Sequence, residues 1–428
     1  MGEFLIPLIA LVCLFVGVLV LINTDAAIIL LIFSMLLSPE LNVAQVPSRA
    51  VVIRLDDILL GVVFLTWLAK MAMNKQLGLL KNTPLNLPIA VYVTISIIST
   101  VWGIAGGWVL PSKTFFYLLK YFEYFLLYYM ISNIIRSREQ IKAFVFVFLL
   151  TAFIICICAW TQFGTEPRVS APFEGAGESE PNTLSGYLLI VMALCWGLTL
   201  CVKRSGARLL LLGLFFFALP PFFHTLSRGA WLGILPMAIT LTVLNRRKTL
   251  ILAVFLTAII LTLPIVLPHF VKDRIEETFV PDAITKEYEV AGKKFPVTLE
   301  GSAMSRIISW EWIIADRLPK RPFFGWGVTG VGFIDSNYFL MLGEIGLFGI
   351  AAFFWILFTI FRQAYWNFKN LDDDFYKGLS LGLLTCLVGL MVQALTANSF
   401  IIVRIAEPFW FLTAVVMALP LTLRRDYI

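Results

Sequence analysis

The sequence predicts an all-α, polytopic integral membrane protein, and three observations carry that prediction. Of the 428 residues, 60% are hydrophobic and only 14% charged, with a mean hydropathy of +0.89; soluble domains are about half apolar and a quarter charged. Runs apolar enough for a bilayer recur almost end to end, at residues 4–21, 58–73, 87–104, 143–160, 184–202, 251–266, 339–360 and 379–395. The basic residues cluster in the short connections between such runs. About 12 or 13 crossings fit this pattern, the count turning on residues 26–38, a run short for a full span. Residues 1–428 read as a single transmembrane domain, with 269–336 as one long extracytoplasmic loop.

The first run lacks a basic flank and a small-residue cleavage site, so it reads as a retained helix and not as a signal peptide. Basic groups follow successive segments: Lys70, Lys75 and Lys81; Arg136, Arg138 and Lys142; Lys203, Arg204 and Arg208; Arg246, Arg247 and Lys248; Arg362 and Lys369; Arg424 and Arg425. The positive-inside rule places all of these in the cytoplasm. Connections 41–56, 107–113, 164–183, 222–228, 269–336 and 399–407 then face the other side. No internal repeat of the inverted-transporter kind is visible. Cys13, Cys156, Cys158, Cys195, Cys201 and Cys386 lie in apolar segments without metal-ligand spacing and read as core. The net charge of +6 is accounted for by topology and implies no nucleic-acid partner.

The outward connections collect the unusual residues. The stretch QFGTEPRVSAPFEGAGESEPNTLSGY (162–187) combines Arg168 with Glu166, Glu174, Glu178 and Glu180 in a Gly/Pro-rich frame. In 269–336, nine Lys/Arg stand against ten Asp/Glu. Within it, SAMSRIISWEWIIADRLPKRP sets Met304, Ile307, Ile308, Trp310, Ile314 and Leu318 on one stripe, with Arg306, Glu311, Asp316 and Arg317 off it. That spacing predicts an amphipathic helix at the membrane interface. Pro319 and Pro322 end it, and FFGWGVTGVG follows as a flexible, glycine-spaced turn.

In HTLSRGAWLG (224–233), Arg228 opens an apolar segment and Ser227 stands at its N-cap position. An arginine at membrane depth costs roughly 2.5–3.5 kcal/mol. A helix N-terminus with a guanidinium beside it forms an anion site. Arg168, Arg228 and Arg306 fall on one side of the membrane, and arginine's planar fork engages two phosphate oxygens at once. The anion that fits a lipid-facing, extracytoplasmic site is the diphosphate of a lipid carrier. Lys120 and Glu123, three apart in FFYLLKYFEYFLLYY, are expected to pair on one helix face.

With these pieces in place, the chain from about Arg54 to Leu421 resembles the O-antigen ligase and O-antigen polymerase superfamily. RLDDILL (54–60) is similar to its early Arg-x-x-Asp segment. Arg168, Pro181 and Asn182 match its Arg…Gly…Pro-Asn element, and TLSRGAWLG its Ser-Arg-Gly signature. The stretch from Arg306 resembles its closing block, a Pro-x-x-Gly-x-Gly turn followed by Asn-x-x-Leu…Glu-x-Gly-x-x-Gly, which includes Asn337 and Glu344.

The resemblance implies a GT-C-like membrane transferase, metal-independent, cofactor-free and inverting, in a bacterial inner membrane with its site facing the periplasm or cell exterior. It would move a glycan from undecaprenyl diphosphate to a hydroxyl of an acceptor glycan or glycolipid. Arg168, Arg228 and Arg306 would bind the donor diphosphate, supported by Ser227, Asn182, Asn337 and Glu344. No Asp-x-Asp and no His cluster lies outside the cytoplasm, since Asp372, Asp373 and Asp374 fall on the cytoplasmic side. Ligases of this family carry a histidine before the Asn-x-x-Leu block, where this chain has Ser336. The candidate general bases are therefore Asp335, Glu180 with Glu178, and His224. A polysaccharide repeat-unit polymerase is the preferred reading, with an O-antigen ligase as the alternative. A lipid-linked oligosaccharide flippase is the rival from another class, and a non-catalytic export component a third.

Overall fold

The computed structural model describes residues 14–46, 49–73, 80–173, 180–244, 269–277, 284–290 and 293–423. The run 251–266, most of 4–21, Cys13, Lys75, Glu174, Glu178, the basic group at 246–248 and Arg424 and Arg425 lie outside the described residues.

Helix α1 (Thr24–Leu37) leads into an antiparallel hairpin of β1 (Glu40–Val46) and β2 (Arg49–Arg54). There follow α2 (Leu55–Met73), α3 (Asn86–Ala105), α4 (Pro111–Ile134), α5 (Arg138–Thr161), α6 (Pro181–Cys201), α7 (Ser205–His224) and α8 (Arg228–Leu244). A short α9 (His269–Glu276) and a second hairpin, β3 (Ile284–Val290) with β4 (Lys293–Leu299), precede α10 (Gly301–Trp312). The chain closes with α11 (Asn337–Asn370), α12 (Asp374–Gln393) and α13 (Val403–Leu423). The described residues are mainly helical, as the all-α reading expects, and two short hairpins, at 40–54 and 284–299, are added to the helices.

Among the described residues seven helices, α3, α5, α6, α7, α11, α12 and α13, are long and apolar enough to cross a membrane, so this is a multi-pass membrane protein. Helices α1 and α8 are apolar but shorter, and α2 and α4 carry charged residues along their length.

Helix α12 packs most extensively on α6 and α8, while α4 lies against α13 and α11 against α3. The α6–α12 contact is set by glycines: a methyl at Gly197 would stand 2.4 Å from the Gly382 nitrogen and 2.7 Å from the Gly378 oxygen. In lipid, where apolar burial does not drive helices together, such small-residue contacts let backbones approach and gain dispersion. Helix α6 also separates two ends of the bundle. Beyond its last turn, Lys203 pairs with Asp374 at 2.9 Å and Arg138 pairs with Asp373. At its first turn gather residues 164–173, the α7–α8 turn and α10.

The amphipathic stretch forms α10, but its buried side chains are Met304 and Ile313, while Ile308 and Ile314 are exposed. A π-helical turn at Ile313–Arg317 inserts one extra residue per turn and rotates the apolar stripe away from the α-helical spacing. The glycine-spaced turn after it is held and not loose. Trp326 and Gly327 donate backbone N–H groups to the carbonyls of Gly343 and Glu344, at 2.9 and 2.8 Å. Gly325 (φ +66) lies so close to α11 that a Cβ would stand 2.6 Å from the Glu344 carbonyl oxygen.

Candidate functional site

The site is built from three segments that meet at the first turn of α6. Val169 N–H donates to the His224 carbonyl at 3.1 Å, and Arg168 Nε donates to the Thr225 carbonyl at 3.0 Å. Arg404, buried in α13, holds the same loop farther on through the carbonyls of Pro172 (2.9 Å) and Phe173 (3.4 Å). The α7–α8 turn is equally constrained: Leu226 adopts a left-handed φ of 52°, a conformation costly for a branched side chain. The turn brings Arg228 to the first position of α8.

Ser227 does not cap that helix with its side chain. Its hydroxyl donates to Asn182 Oδ1 at 2.7 Å, tying the start of α8 to the start of α6. The Asn182 carbonyl in turn accepts from Gln393 of α12 at 3.1 Å. Both residues therefore position Arg228 from beneath.

Arg228 reaches Glu300, at the junction of β4 and α10. Arg274 of α9 approaches the other carboxylate oxygen of Glu300 at 3.3 Å. Arg306, in α10, pairs with Asp335 at 3.2 Å. Arg168 feels all three: burial first, then the charges of Arg274, Arg228 and Arg306, lowers its pKa from the ordinary arginine value. Four guanidinium groups thus converge where sequence reasoning expected three. The Nε atoms of Arg274 and Arg306 are buried without a hydrogen-bond partner, so the cluster retains donors that an anion could satisfy. Desolvation acts to raise the Glu300 carboxyl, but the hydrogen bond from Arg228 and the charges of Arg228 and Arg274 outweigh it and hold the group below the usual carboxylate range.

Arg274 and Glu300 were missed by the sequence reading. Their only local signal is charge within a loop of mixed charges, and it is the β3–β4 hairpin that brings them together.

The other expected residues divide. Asp335 does lie at the cluster, but as the partner of Arg306 and not as an isolated carboxylate. Ser336 is fully buried and its hydroxyl approaches the Ala394 carbonyl at 3.4 Å. Asn337 is also buried, accepting from Phe400 N–H at 3.2 Å, which makes it a packing residue between α11 and the α12–α13 turn. Glu344 organises the glycine turn: it accepts from Thr329 N–H at 2.7 Å and from the Tyr121 hydroxyl at 3.1 Å. Glu180 precedes α6 and accepts from Thr183 Oγ1 at 3.3 Å. The His224 ring packs on Phe163 with centroids 4.0 Å apart.

A second charged cluster lies inside the bundle. Arg54 contacts Asp56 at 3.0 Å and Asp57 at 3.6 Å, and Asp56 accepts from Ser38 Oγ at 3.0 Å. Lys120 pairs with Asp57 at 3.4 Å, across from α4 to α2, and its charge also acts on Glu123, the partner expected from their spacing. Glu123 and the fully buried Glu407 complete the network through their charge interactions with Arg54 and Asp57. Arg404 binds the Ser38 carbonyl at 3.2 Å, so the same side chain links this interior network to the loop that carries Arg168.

Among the described residues no three His, Cys, Asp or Glu side chains come together as metal ligands. No protein-family model matches the chain, and no curated protein is similar to it at a significant level.

Proposed function

We propose that this protein is an envelope glycosyltransferase that moves a glycan from a polyprenyl diphosphate, undecaprenyl diphosphate in bacteria, to the hydroxyl of an acceptor sugar. One observation carries the reading: Arg168, Arg228, Arg274 and Arg306 converge at one end of a membrane bundle, beside apolar helices. In such a reaction the acceptor oxygen attacks the anomeric carbon, the C–O bond to the diphosphate breaks with inversion, and the electron pair leaves on the diphosphate. Guanidinium groups aimed at that developing charge lower the barrier. The acceptor's proton passes to a carboxylate, for which Asp335, at the edge of the cluster, is the candidate. A repeat-unit polymerase is preferred over a ligase because the position of the ligase histidine holds Ser336, whose hydroxyl faces a backbone carbonyl. The site would face the periplasm or cell exterior of a cytoplasmic-membrane protein.

A second reading, transport of a lipid-linked oligosaccharide, is favoured by the interior network of Arg54, Asp56, Asp57 and Glu407 and by the break in α11 at Gly346. Purified protein in nanodiscs with a lipid-diphosphate glycan donor separates the two. The transferase releases undecaprenyl diphosphate and extends the acceptor, and Arg228→Ala lowers that rate about a hundredfold or more, the scale of losing one donor to a developing anion. Intact donor accumulating in the opposite leaflet, with no diphosphate released, would establish transport instead.

A further inference from the structure

Glu300 is placed unlike any other carboxylate of the described residues. It stands between Leu299, the last residue of β4, and Gly301, the first of α10, and its carbonyl accepts the N–H groups of Ala303 and Met304, each at 3.0 Å. An acidic side chain at a helix start ordinarily turns back toward the free N–H groups of its own helix. This one makes no such bond. It points away, with one oxygen on Arg228 and the other 3.3 Å from Arg274, and Ser302 Oγ donating at 3.2 Å. Its side chain is 26% exposed, and Gly301 has open space around it. The carboxylate can therefore swing out on its own rotamers, without unfolding the hairpin or the helix.

Two arginines arranged on the two oxygens of a carboxylate are arranged as they would be on two oxygens of a phosphoryl group. We propose that Glu300 is an internal stand-in for one phosphoryl group: it occupies the Arg228–Arg274 position in the empty protein, is displaced when a diphosphate binds, and returns to help expel the diphosphate product. This rests on the transferase reading of the arginine cluster and assigns that site a loading cycle. The physical need is clear. Asp335 pairs with Arg306 and Glu277 with Arg274 at 2.6 Å, which leaves the four guanidiniums with a surplus of positive charge at Arg168 and Arg228, and four guanidiniums closed on a diphosphate would hold the product too long for rapid turnover. A tethered carboxylate meets both difficulties, since it neutralises the empty site and competes for it at high effective concentration.

The test uses the full-length protein in nanodiscs at low ionic strength, with inorganic pyrophosphate as the probe, measured by calorimetry for affinity and by stopped-flow for dissociation. Glu300→Gln keeps the shape and removes the charge. It is expected to bind pyrophosphate about tenfold more tightly, with most of the change in a slower dissociation rate. In turnover assays the same variant is expected to show a lower kcat with unchanged or lower KM, and stronger inhibition by added pyrophosphate. Glu300→Asp, whose charge is withdrawn by one methylene, should fall between. Equal or weaker pyrophosphate binding by Glu300→Gln would overturn the stand-in role and leave the arginine site in place. Failure of pyrophosphate to bind either protein would overturn the reading of the arginine cluster itself, and with it this inference.

Discussion

At the scale of single residues, the arginine cluster separates groups that hold charge from groups that hold shape. Asp335 and Arg306 form a half-exposed pair, and such pairs contribute at most about 1 kcal/mol. Asp335→Asn is therefore expected to leave the melting temperature in detergent nearly unchanged. If Asp335 accepts the acceptor's proton, the same change lowers kcat by about 10²–10⁴-fold; unaltered kinetics would reassign that role. Glu300 has a pH signature of its own. Its folded-state carboxyl lies below the ordinary value of 4.5, so the stabilisation from its contact is complete above that value. It is lost as the pH falls through the lower, folded value. Thermal melts of wild type and Glu300→Gln should run parallel above about pH 5 and converge on deeper acidification. The arginines at 168, 228 and 306 were legible in the sequence because each is a lone cation beside apolar residues. Arg274 and Glu300 were not, since charge among many charges has no contrast.

At the scale of elements, the helices were legible from their apolar runs, because lipid requires every backbone polar group of a span to be satisfied within it. The hairpins were not: strands of six or seven residues leave a periodicity too short to stand out, and the order of β3 and β4 comes from pairing with each other. The π-turn after α10 was equally hidden, since one inserted residue changes which side chains face inward without changing composition. Two glycines test the packing. Gly197→Ala drives a methyl into the backbone of α12, which has no side chain to rotate away. It should destabilise the bundle by about 1–3 kcal/mol, read as an earlier unfolding transition in detergent. Gly346, where α11 breaks, has φ 67° and ψ −165°, a conformation essentially confined to glycine. Its Cβ would also meet the Phe323 carbonyl oxygen at 2.5 Å. Gly346→Ala should therefore loosen the 323–327 turn and raise proteolysis there.

At the scale of the whole molecule, charge distribution in the sequence anticipated which connections meet. The basic groups at Arg138 and Lys203 gather with Asp373 and Asp374 at one end, and the arginine site forms at the other end of α6. Sidedness is tested by single cysteines on a background with the native six replaced. A membrane-impermeant maleimide added to spheroplasts should label Thr165→Cys and spare Lys203→Cys; the reverse pattern would invert the molecule. The interior network has a further consequence, and it concerns how the chain is made. Arg404 holds a carbonyl, that of Ser38, which is synthesised 366 residues earlier. Arg54, Asp56, Asp57 and Lys120 pair among themselves on β2, α2 and α4, and Arg404 and Glu407 join that network only when α13 is made. Residues 403–423 thus tie together segments made far apart in time, and a chain stopped before residue 403 is expected to lose the Arg404 ties to Ser38 and to the Pro172–Phe173 loop and to be cleaved faster than the 428-residue chain in a pulse-chase experiment.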